Sequence, residues 1–373
     1  MIFDTFDNEF LMLCGLCRYI PSGLQKVYDA PFLKRSIINN LQVHDMIKMM
    51  SDGRSYHLTR TGKDILADMG YEFPDDLRTD INKTAYKRKL KNAEINIMMY
   101  LAGINVFYKF PYELSDKNGY ASSLMMRADK NMKVLSSSQF LGIMKIGDTA
   151  YITYFVDSED MDIIPSFEKE IISAQIHSIK NVRQIKLLIF GNSLDSLWEC
   201  LYPKTCKPPI GRGRKRFGEA LEVMGMEYIL VPCSNGGVTQ LTVLNNFRYR
   251  AVIAEALDCE KVEIPQFNEC DGLIGGKPCI IGVDMNIERI IRALKQSEHY
   301  AKNKMSTICC LSFQRNVLER ILKEKNAPNH KIAVIERNGL KQVFPGRITE
   351  RAGYITKGGE YIEAPAKTIR KNK

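Results

Sequence analysis

Apolar positions in the first seventy residues recur at helical spacing and then at strand spacing. The first helix is predicted over about residues 5–19. Its apolar stripe consists of Phe6, Phe10, Leu13, Cys14 and Cys17. A short helix is predicted near residues 23–29, and Pro31 suits the first turn of a third helix over about residues 31–41. The apolar face of that third helix consists of Leu33, Ile37 and Leu41.

A hairpin is predicted immediately after the third helix. Two extended segments, residues 47–50 and 55–59, are joined across Asp52-Gly53, a dipeptide typical of tight hairpin turns. A further helix then begins near Gly62. This order of helices and hairpin predicts a winged helix-turn-helix over residues 1–70, a unit that commonly reads DNA. The string Leu58-Thr59-x-x-Gly62 also resembles the start of the helix that follows the wing in winged-helix domains.

The polar face of the third helix carries side chains suited to contacts with bases. Arginine pairs with guanine and asparagine with adenine, each through two hydrogen bonds. Arg54 is expected at the tip of the wing, within reach of a phosphate or the minor groove. The predicted DNA contacts in this region are Lys34, Arg35, Asn39, Asn40 and Arg54. A winged helix that binds protein instead of DNA remains the alternative.

Residues 71–133 are predicted to form a linker followed by a basic helical region, which could be a second helical DNA-binding unit. The long helix over residues 78–104 is basic in its first half and apolar in its second. Lys87, Arg88 and Lys91 fall on one side, where they could follow phosphates or simply face solvent.

Strands and helices alternate over residues 134–336, which predicts a mixed α/β domain. The predicted strands cover residues 140–146, 149–156, 184–190, 227–231, 239–244, 268–274, 278–284, 306–312 and 331–336. The predicted helices cover residues 165–180, 192–201, 217–224, 247–257, 286–301 and 313–325. The sequence shows no internal repeat. Residues 337–373 are predicted to be a poorly packed basic tail.

Charge narrows the class of partner. The net charge of +10 is concentrated in residues 78–91, 200–217 and 337–373. Clustered positive charge suits a polyanion, and double-stranded DNA is the expected partner. The basic loop over residues 204–216 contributes four further predicted phosphate contacts: Arg212, Arg214, Lys215 and Arg216.

The sequence also indicates a cytoplasmic protein. No apolar run is long enough to span a membrane, and the acidic N-terminus does not resemble a secretory signal. The ten cysteines are therefore expected to be reduced. Cys14 and Cys17 form a CxxC, but they lie on the apolar stripe of the first helix, which favours core packing over metal binding.

Candidate chemistry is concentrated between Cys270 and Asp284. An acidic residue on one strand, a short turn, an acidic residue on the next strand, then a helix and a strand is the layout of restriction-endonuclease-like folds. Such a site uses two carboxylates to hold Mg²⁺ and a lysine to position water or stabilise the phosphorus centre. Asp271 fits the first carboxylate.

The chain resembles the replication-relaxation family of plasmids and integrative elements in Gram-positive bacteria, which is related to MobC-type relaxases. The resemblance rests on a set of short motifs: Asp271-Gly272, Gly282-Val283-Asp284, Lys295 and Tyr300. It implies an N-terminal winged helix and a restriction-endonuclease-like domain. It also implies Asp271 as a catalytic carboxylate. Where this chain departs from the family pattern, Asp284 and the helix-borne Lys295 could substitute as catalytic residues, and Glu255 or Glu168 could supply a helix carboxylate. Mg²⁺ or Mn²⁺ would be held by Asp271 and Asp284.

Two departures weaken the implied site. Gly282 stands where the family has a glutamate, and Asn286 stands where a lysine would complete the motif. A metal site that lacks one carboxylate loses much of its affinity. Two interpretations stay open, a metal-dependent DNA nickase and a degenerate nuclease fold that binds DNA without cutting it. The missing carboxylate favours the second.

The sequence therefore predicts a DNA-binding protein of a plasmid or mobile element that recognises origin DNA in transfer or replication. Conjugation or replication proteins and a second copy of the chain are the other expected partners. A transcriptional regulator, whose α/β domain dimerises or senses a ligand, is the alternative. The basic loop in the α/β part favours the first interpretation, because a sensing domain has no need of phosphate contacts.

Overall fold

The chain folds into two compact units. Residues 1–103 with 349–373 form the first unit, and residues 104–348 form the second. The computed structural model describes residues 5–71, 73, 84–126, 135, 138–204, 211–261, 268–301, 305–327, 329–336, 339–340, 343–344, 353–355 and 361–363. Helices and several sheets alternate, so the fold is mixed α/β.

The first unit packs helices around a small antiparallel sheet. Its helices are α1 (Thr5–Cys17), α2 (Arg35–Val43), α3 (Arg60–Asp68) and α4 (Thr84–Leu101). Its sheet consists of β1 (Ile20–Pro21), β2 (Ile47–Met49) and β3 (Ser55–Leu58), with β3 in the middle. Every residue of α1 from Phe10 to Cys17 is buried, so this helix is enclosed rather than buried along one stripe only. Cys14 and Cys17 pack in the core as predicted.

The third predicted helix differs from expectation at its start. Pro31–Leu33 is a 3-10 turn, and Lys34 is extended before α2 begins at Arg35. This break changes the phase of the helix, so Ile38 is buried and Ile37 is only half-buried. The helix predicted near residues 23–29 is likewise a single 3-10 turn, Leu24–Lys26.

The second unit contains two larger sheets. Sheet I consists of β4 (Gly119–Ser122), β5 (Gly142–Ile146), β6 (Thr149–Phe155), β8 (Gln184–Gly191) and β10 (Tyr228–Pro232). Sheet II consists of β11 (Gly272–Ile274), β12 (Lys277–Ile281), β13 (Ser306–Leu311) and β14 (His330–Ile335). A separate pair joins β7 (Asp162–Ile163) to β9 (Lys215–Arg216).

Helices link and cover these strands. They are α5 (Ser123–Met126), α6 (Pro165–Ile176), α7 (Leu194–Leu201), α8 (Phe217–Met224), α9 (Asn235–Leu244), α10 (Tyr249–Ala256), α11 (Ile287–Ala301) and α12 (Arg315–Glu324). The buried apolar core of this unit includes residues from both sheets, with Trp198 among its largest side chains.

The two sheets share one topology. Each contains an antiparallel hairpin, β5–β6 in sheet I and β11–β12 in sheet II. In each sheet, a helix connects the second hairpin strand to a parallel neighbour, β8 in sheet I and β13 in sheet II. Further helical structure then leads to one more parallel strand, β10 in sheet I and β14 in sheet II. The backbone of Glu260 pairs antiparallel with Leu273, at the position that β4 occupies beside β5. The fold therefore contains a topological repeat that the sequence does not reveal.

One predicted strand is wrong. Residues 239–244 belong to α9, although valine and threonine enrich this segment and favour a strand. The Ser234 side chain caps the helix by accepting a hydrogen bond from the Gly237 N–H, at 3.3 Å. The buried Gln240 amide then donates to the Leu230 carbonyl at 2.8 Å, which fixes α9 against β10. Local capping and tertiary contact outweigh intrinsic strand preference here.

The predicted domain boundaries at residues 70 and 133 also differ from the observed division. The long helix α4 remains in the first unit, whereas residues from 104 onward belong to the second. The reason is that β4 pairs with β5 and completes sheet I. Residues 74–83 of the predicted linker lie outside the described residues.

Little of the predicted basic tail over residues 337–373 is described. Its described part includes an antiparallel pair, β15 (Gly353–Ile355) and β16 (Tyr361–Glu363), and the rest lies largely outside the described residues. In the described part of the chain, no helix combines the length and the apolar character needed to cross a membrane.

Gly62 is fixed by a close approach of the backbone. A Cβ atom at this position would lie 2.2 Å from the Met46 carbonyl oxygen. We expect Gly62→Ala to lower the free energy of unfolding of the first unit by about 2 kcal/mol, since a backbone atom would have to move. Gly23→Ala is the matched control, because a Cβ there meets nothing within 4 Å. Urea unfolding followed by circular dichroism measures both, and equal stabilities of the two variants would contradict the packing.

Candidate functional site

The hairpin of sheet II brings Asp271 and Asp284 to the same end of the sheet. Asp271 directly precedes β11, and Asp284 follows β12, which runs in the opposite direction. The Asp271 N–H donates to the Cys279 carbonyl at 2.9 Å, and the Ile281 N–H donates to Asp271 Oδ2 at 2.6 Å. Both carboxylates are buried, with side-chain exposures of 4% and 3%.

Arg289, near the start of α11, lies between these two carboxylates. Its Nη1 is 3.5 Å from Asp271 Oδ2, and its Nη2 is 3.5 Å from Asp284 Oδ1. The guanidinium also donates to the carbonyls of Ile281 and Glu269. The arginine side chain is itself 3% exposed. A buried cation therefore joins the two residues that the sequence singles out.

Arg289 was missed by sequence reasoning. The only available signal is its position in the segment Asn286-Ile-Glu-Arg-Ile-Ile, where it stands directly before the apolar Ile290 and Ile291. Arginine at such a position is usually a solvated helix residue. Its burial depends on carboxylates supplied by another part of the chain, which periodicity does not show.

Four further donors complete the surroundings of the pair. Arg250 Nε lies 2.6 Å from Asp271 Oδ1, and the Tyr249 hydroxyl lies 2.5 Å from Asp284 Oδ2. The Asn286 N–H donates to Asp284 Oδ1 at 3.2 Å, in addition to the Ile281 N–H on Asp271. Every carboxylate oxygen of the pair thus accepts a hydrogen bond from the protein itself.

Nearby charges and hydrogen bonds keep Asp284 and Arg289 charged, and they keep Tyr249 neutral. Burial alone would raise the pKa of Asp284, but the Arg289 charge and the Tyr249 hydrogen bond outweigh it and hold the pKa below its ordinary value. Burial would lower the pKa of Arg289, but Asp284 and Asp271 raise it above the usual value. Burial, and then the charge of Asp284, raise the pKa of Tyr249, so this phenol stays protonated.

A second ion-pair cluster extends from this site. Glu227 pairs with Lys186 at 2.9 Å and with Arg292 of α11, while the Asn286 amide donates to it at 2.9 Å. Arg292 also pairs with Glu269 at 2.9 Å. Burial favours the neutral form of Glu227, but these cations and the amide dominate and lower its pKa to about 2.

The structure does not bring Lys295 or Glu255 to the carboxylate pair. Lys295 follows Arg289 by six residues on α11, which places it about 240° around the helix axis, and it is exposed. Glu255 follows Tyr249 by six residues on α10 and is also exposed. The predicted roles of Lys295 and Glu255 therefore have no support from their positions. The side chain of Tyr300 lies outside the described residues.

Glu168, the other candidate for a helix carboxylate, does not complete the site either. It lies on α6, where it accepts hydrogen bonds from Ser138 Oγ, the Gln139 N–H and the Tyr154 hydroxyl.

Gly282, which stands where the family has a glutamate, is tightly packed. A Cβ there would lie 3.1 Å from Ile308 and 3.2 Å from Ile290. A glutamate at position 282 would therefore require this core to move.

The residues present do not fit a divalent metal ion. A magnesium or manganese ion needs oxygen ligands with free lone pairs facing it. Here the Arg289 guanidinium lies between the two carboxylates, 3.5 Å from one oxygen of each, so a fixed positive charge already occupies the place where an ion would bind. Within the described ranges, no group of three or more histidine, cysteine, aspartate and glutamate side chains could hold a metal.

The first unit exposes most of its predicted DNA contacts. Lys34, Arg35 and Asn39 are exposed on and just before α2. Arg54 is exposed at the turn between β2 and β3, 4.0 Å from Asp52. Asn40 is also exposed, but its amide donates to both oxygens of Asp7 at 3.4 and 3.2 Å. Asn40 thus holds α2 against α1 as well as facing outward.

The basic side chains of α4 are less available than predicted. Lys87 is exposed, whereas burial lowers the pKa of the half-buried Arg88. Lys91 pairs with Glu94 at 3.4 Å. The predicted phosphate-tracking face is therefore partly occupied by contacts within the unit.

Only some of the basic side chains in the loop over residues 204–216 are available to a partner. Arg212 and Lys215 are exposed, but Arg214 pairs with Asp162, and Arg216 is buried with its Nη1 donating to the Glu159 carbonyl at 2.8 Å. Arg216 therefore fixes the β7–β9 pair and is not presented to a partner. Residues 205–210 of the predicted loop lie outside the described residues.

No protein-family model, curated protein or solved structure matches the chain. The resemblance to the replication-relaxation family consequently stays a prediction that rests on the motifs of the sequence.

The low pKa of Glu227 gives a pH-dependent prediction. The folded state keeps this carboxylate ionised down to a pH of about 2, whereas its ordinary pKa is 4.5. The resulting stability is present above pH 4.5 and is lost as the pH falls toward about 2. We expect Glu227→Gln to lower the free energy of unfolding at neutral pH by about 1–2 kcal/mol, allowing for its partial exposure.

Urea unfolding at several pH values measures this effect. The difference between wild type and Glu227→Gln should shrink as the pH falls below 4.5. Glu298→Gln, which changes an exposed residue of α11, should show no such difference. A constant loss at every pH would mean that the ionised form of Glu227 is not what stabilises the fold.

Proposed function

We propose that the chain is a DNA-binding protein whose first unit reads double-stranded DNA as a winged helix. One observation carries the proposal: α2 and the residue before it expose Lys34, Arg35 and Asn39, and the adjoining hairpin exposes Arg54 at its tip. These residue types can contact bases and phosphates, and they stand where a recognition helix and a wing present such groups.

The order of elements in the first unit supports this function. A helix, a short strand, two 3-10 turns, a second helix and a hairpin follow one another, and the three strands form a sheet with β3 in the middle. The N-terminal residues of a recognition helix are those that reach base edges. Lys34 and Arg35 stand at that end of α2, which begins after an extended residue and leaves both side chains outside the core.

The proposal for the second unit is a nuclease-like scaffold that binds without cutting. The order of Asp271, a hairpin, Asp284, a helix and a parallel strand supports it, although both acids lie just outside the strands on which the sequence predicts them. The guanidinium of Arg289 and the surrounding donors already engage the two carboxylates. The resemblance to plasmid proteins suggests that this binding serves DNA transfer or replication at an origin.

A transcriptional regulator is the second candidate. It shares the proposed DNA-reading first unit, and a second unit in which arginines hold the Asp271 and Asp284 carboxylates suits it equally well. Self-association, ligand sensing and contacts with conjugation or replication proteins stay predictions, as does action in the cytoplasm.

Arg35 provides the sharpest test of DNA reading. We expect Arg35→Ala to weaken binding to a duplex selected from a random pool by about 10- to 100-fold, because a bidentate contact with guanine would be lost. Binding to random duplexes should change far less. Fluorescence anisotropy of labelled duplexes at several salt concentrations measures both affinities.

Two comparison variants separate base reading from charge. Lys34→Ala should weaken binding to all duplexes alike and reduce the salt dependence by about one phosphate contact. Arg315→Ala removes an exposed arginine from the second unit and should leave selectivity unchanged. If Arg35→Ala keeps the full preference for the selected duplex, α2 is not the recognition helix. Binding that ignores salt would contradict DNA binding altogether.

The second unit is expected not to cut DNA. Supercoiled plasmid incubated with the protein and Mg²⁺ or Mn²⁺ should yield no more open circles than buffer, with wild type and Asp271→Ala alike. The reason is that Arg289 and Arg250 already neutralise the carboxylates. Open circles that form with wild type and with the exposed-site variant Asp195→Ala, but disappear with Asp271→Ala, would establish a nickase instead.

A further inference from the structure

We infer that Arg289 is a built-in cation which replaces a divalent metal ion between Asp271 and Asp284, so that removing its guanidinium would create a metal-binding site. The inference concerns the second unit alone and does not depend on DNA binding by the first.

The charges of the cluster lead to this conclusion. Two carboxylates buried at one place cannot both stay ionised without positive charge nearby. Arg289 supplies one charge directly between them, and Arg250 supplies a second to Asp271 at 2.6 Å. Together the two guanidinium groups balance the charges of the two carboxylates. The cluster is thereby neutral without any bound ion.

The atoms around the guanidinium are the second argument. Arg289 faces the carboxylates of Asp271 and Asp284 and the backbone carbonyls of Ile281 and Glu269. These are four oxygen atoms from four different residues. Carboxylate and carbonyl oxygens are the ligands that Mg²⁺, Mn²⁺ and Ca²⁺ prefer in proteins. A cavity left by the guanidinium would therefore be lined by suitable ligands.

The fit of the arginine is the third argument. Its Nε is buried and has no hydrogen-bond partner among the described residues. Leaving a buried donor unsatisfied costs free energy. The side chain is consequently held by its charge and by its terminal nitrogens, as a cation among oxygen atoms, rather than by a fully satisfied hydrogen-bond network.

Thermal unfolding of Arg289→Ala tests the inference. In EDTA this variant should melt well below wild type, because two buried carboxylates then repel each other. Adding Mn²⁺ or Ca²⁺ should raise its melting temperature progressively with ion concentration, since an ion that binds only the folded state stabilises it. Wild type should not respond to either ion.

Matched variants assign the response to the pair. Arg289→Lys keeps a positive charge and should melt at the same temperature with and without ions. Asp271→Asn combined with Arg289→Ala removes one ligand and should lose most of the response. Arg315→Ala removes an exposed arginine elsewhere and should behave as wild type.

Two results would overturn the inference. One is a wild type that is itself stabilised by micromolar Mn²⁺ in a manner that Asp271→Asn abolishes, since the site would then already bind metal. The other is an Arg289→Ala that gains nothing from Mn²⁺, Mg²⁺ or Ca²⁺. If that variant does not fold in EDTA, Arg289→Met keeps the length of the side chain without its charge. Failure of both variants to fold in any of these ions, while Arg289→Lys folds, would also overturn it, because an ion would then not replace the guanidinium.

Discussion

Each sheet of the second unit depends on one buried charged side chain near the start of the helix that follows its hairpin. In sheet I this residue is Glu168, which accepts hydrogen bonds from Ser138 and Gln139, ahead of β5, and from Tyr154 of β6. In sheet II it is Arg289, which faces Asp271, ahead of β11, and donates to the Ile281 carbonyl of β12. An uncompensated buried charge is strongly destabilising, so each helix can dock only where its partners are in place.

The two clusters have opposite polarity, and this explains the acidic residues of sheet II. A buried glutamate needs donors, which a serine hydroxyl, a backbone N–H and a phenol supply. A buried arginine needs acceptors, and Asp271 and Asp284 supply them. The paired aspartates are thus complementary to Arg289 as a matter of folding. Their spacing alone does not indicate a metal site, because the same spacing serves a structural ion pair.

Periodicity predicted some elements of sheet II closely and others less so. The predicted strand over 268–274 begins four residues before β11 (Gly272–Ile274), and the predicted strand over 278–284 ends three residues after β12 (Lys277–Ile281). The predicted helix over residues 286–301 corresponds to α11 (Ile287–Ala301), and the predicted strand over 306–312 corresponds to β13 (Ser306–Leu311). The errors occur where long-range contacts decide. The cap at Ser234 and the hydrogen bond from Gln240 stabilise a helix in a segment whose composition favours a strand. The break at Lys34 shifts the start of α2, so that Ile38 rather than Ile37 is buried in the core. The burial of Arg289 and the exposure of Lys295 likewise depend on the docking of α11, which no local pattern contains.

The net charge overstates how many basic side chains are available to a polyanion, because some of them are buried or paired within the fold. Arg216 and Arg289 are buried, Arg214 is paired with Asp162, and Lys91 with Glu94. Six of the predicted basic DNA contacts are exposed: Lys34, Arg35, Arg54, Lys87, Arg212 and Lys215. Counterion release depends on charges that can approach phosphates, so of the predicted basic contacts these six are the ones best placed to contribute to it. Three of the six, Lys34, Arg35 and Arg54, lie on or beside α2 and the β2–β3 turn, the helix and wing of the proposed DNA-reading unit. Affinity and sequence choice would therefore come in part from the same face of the protein.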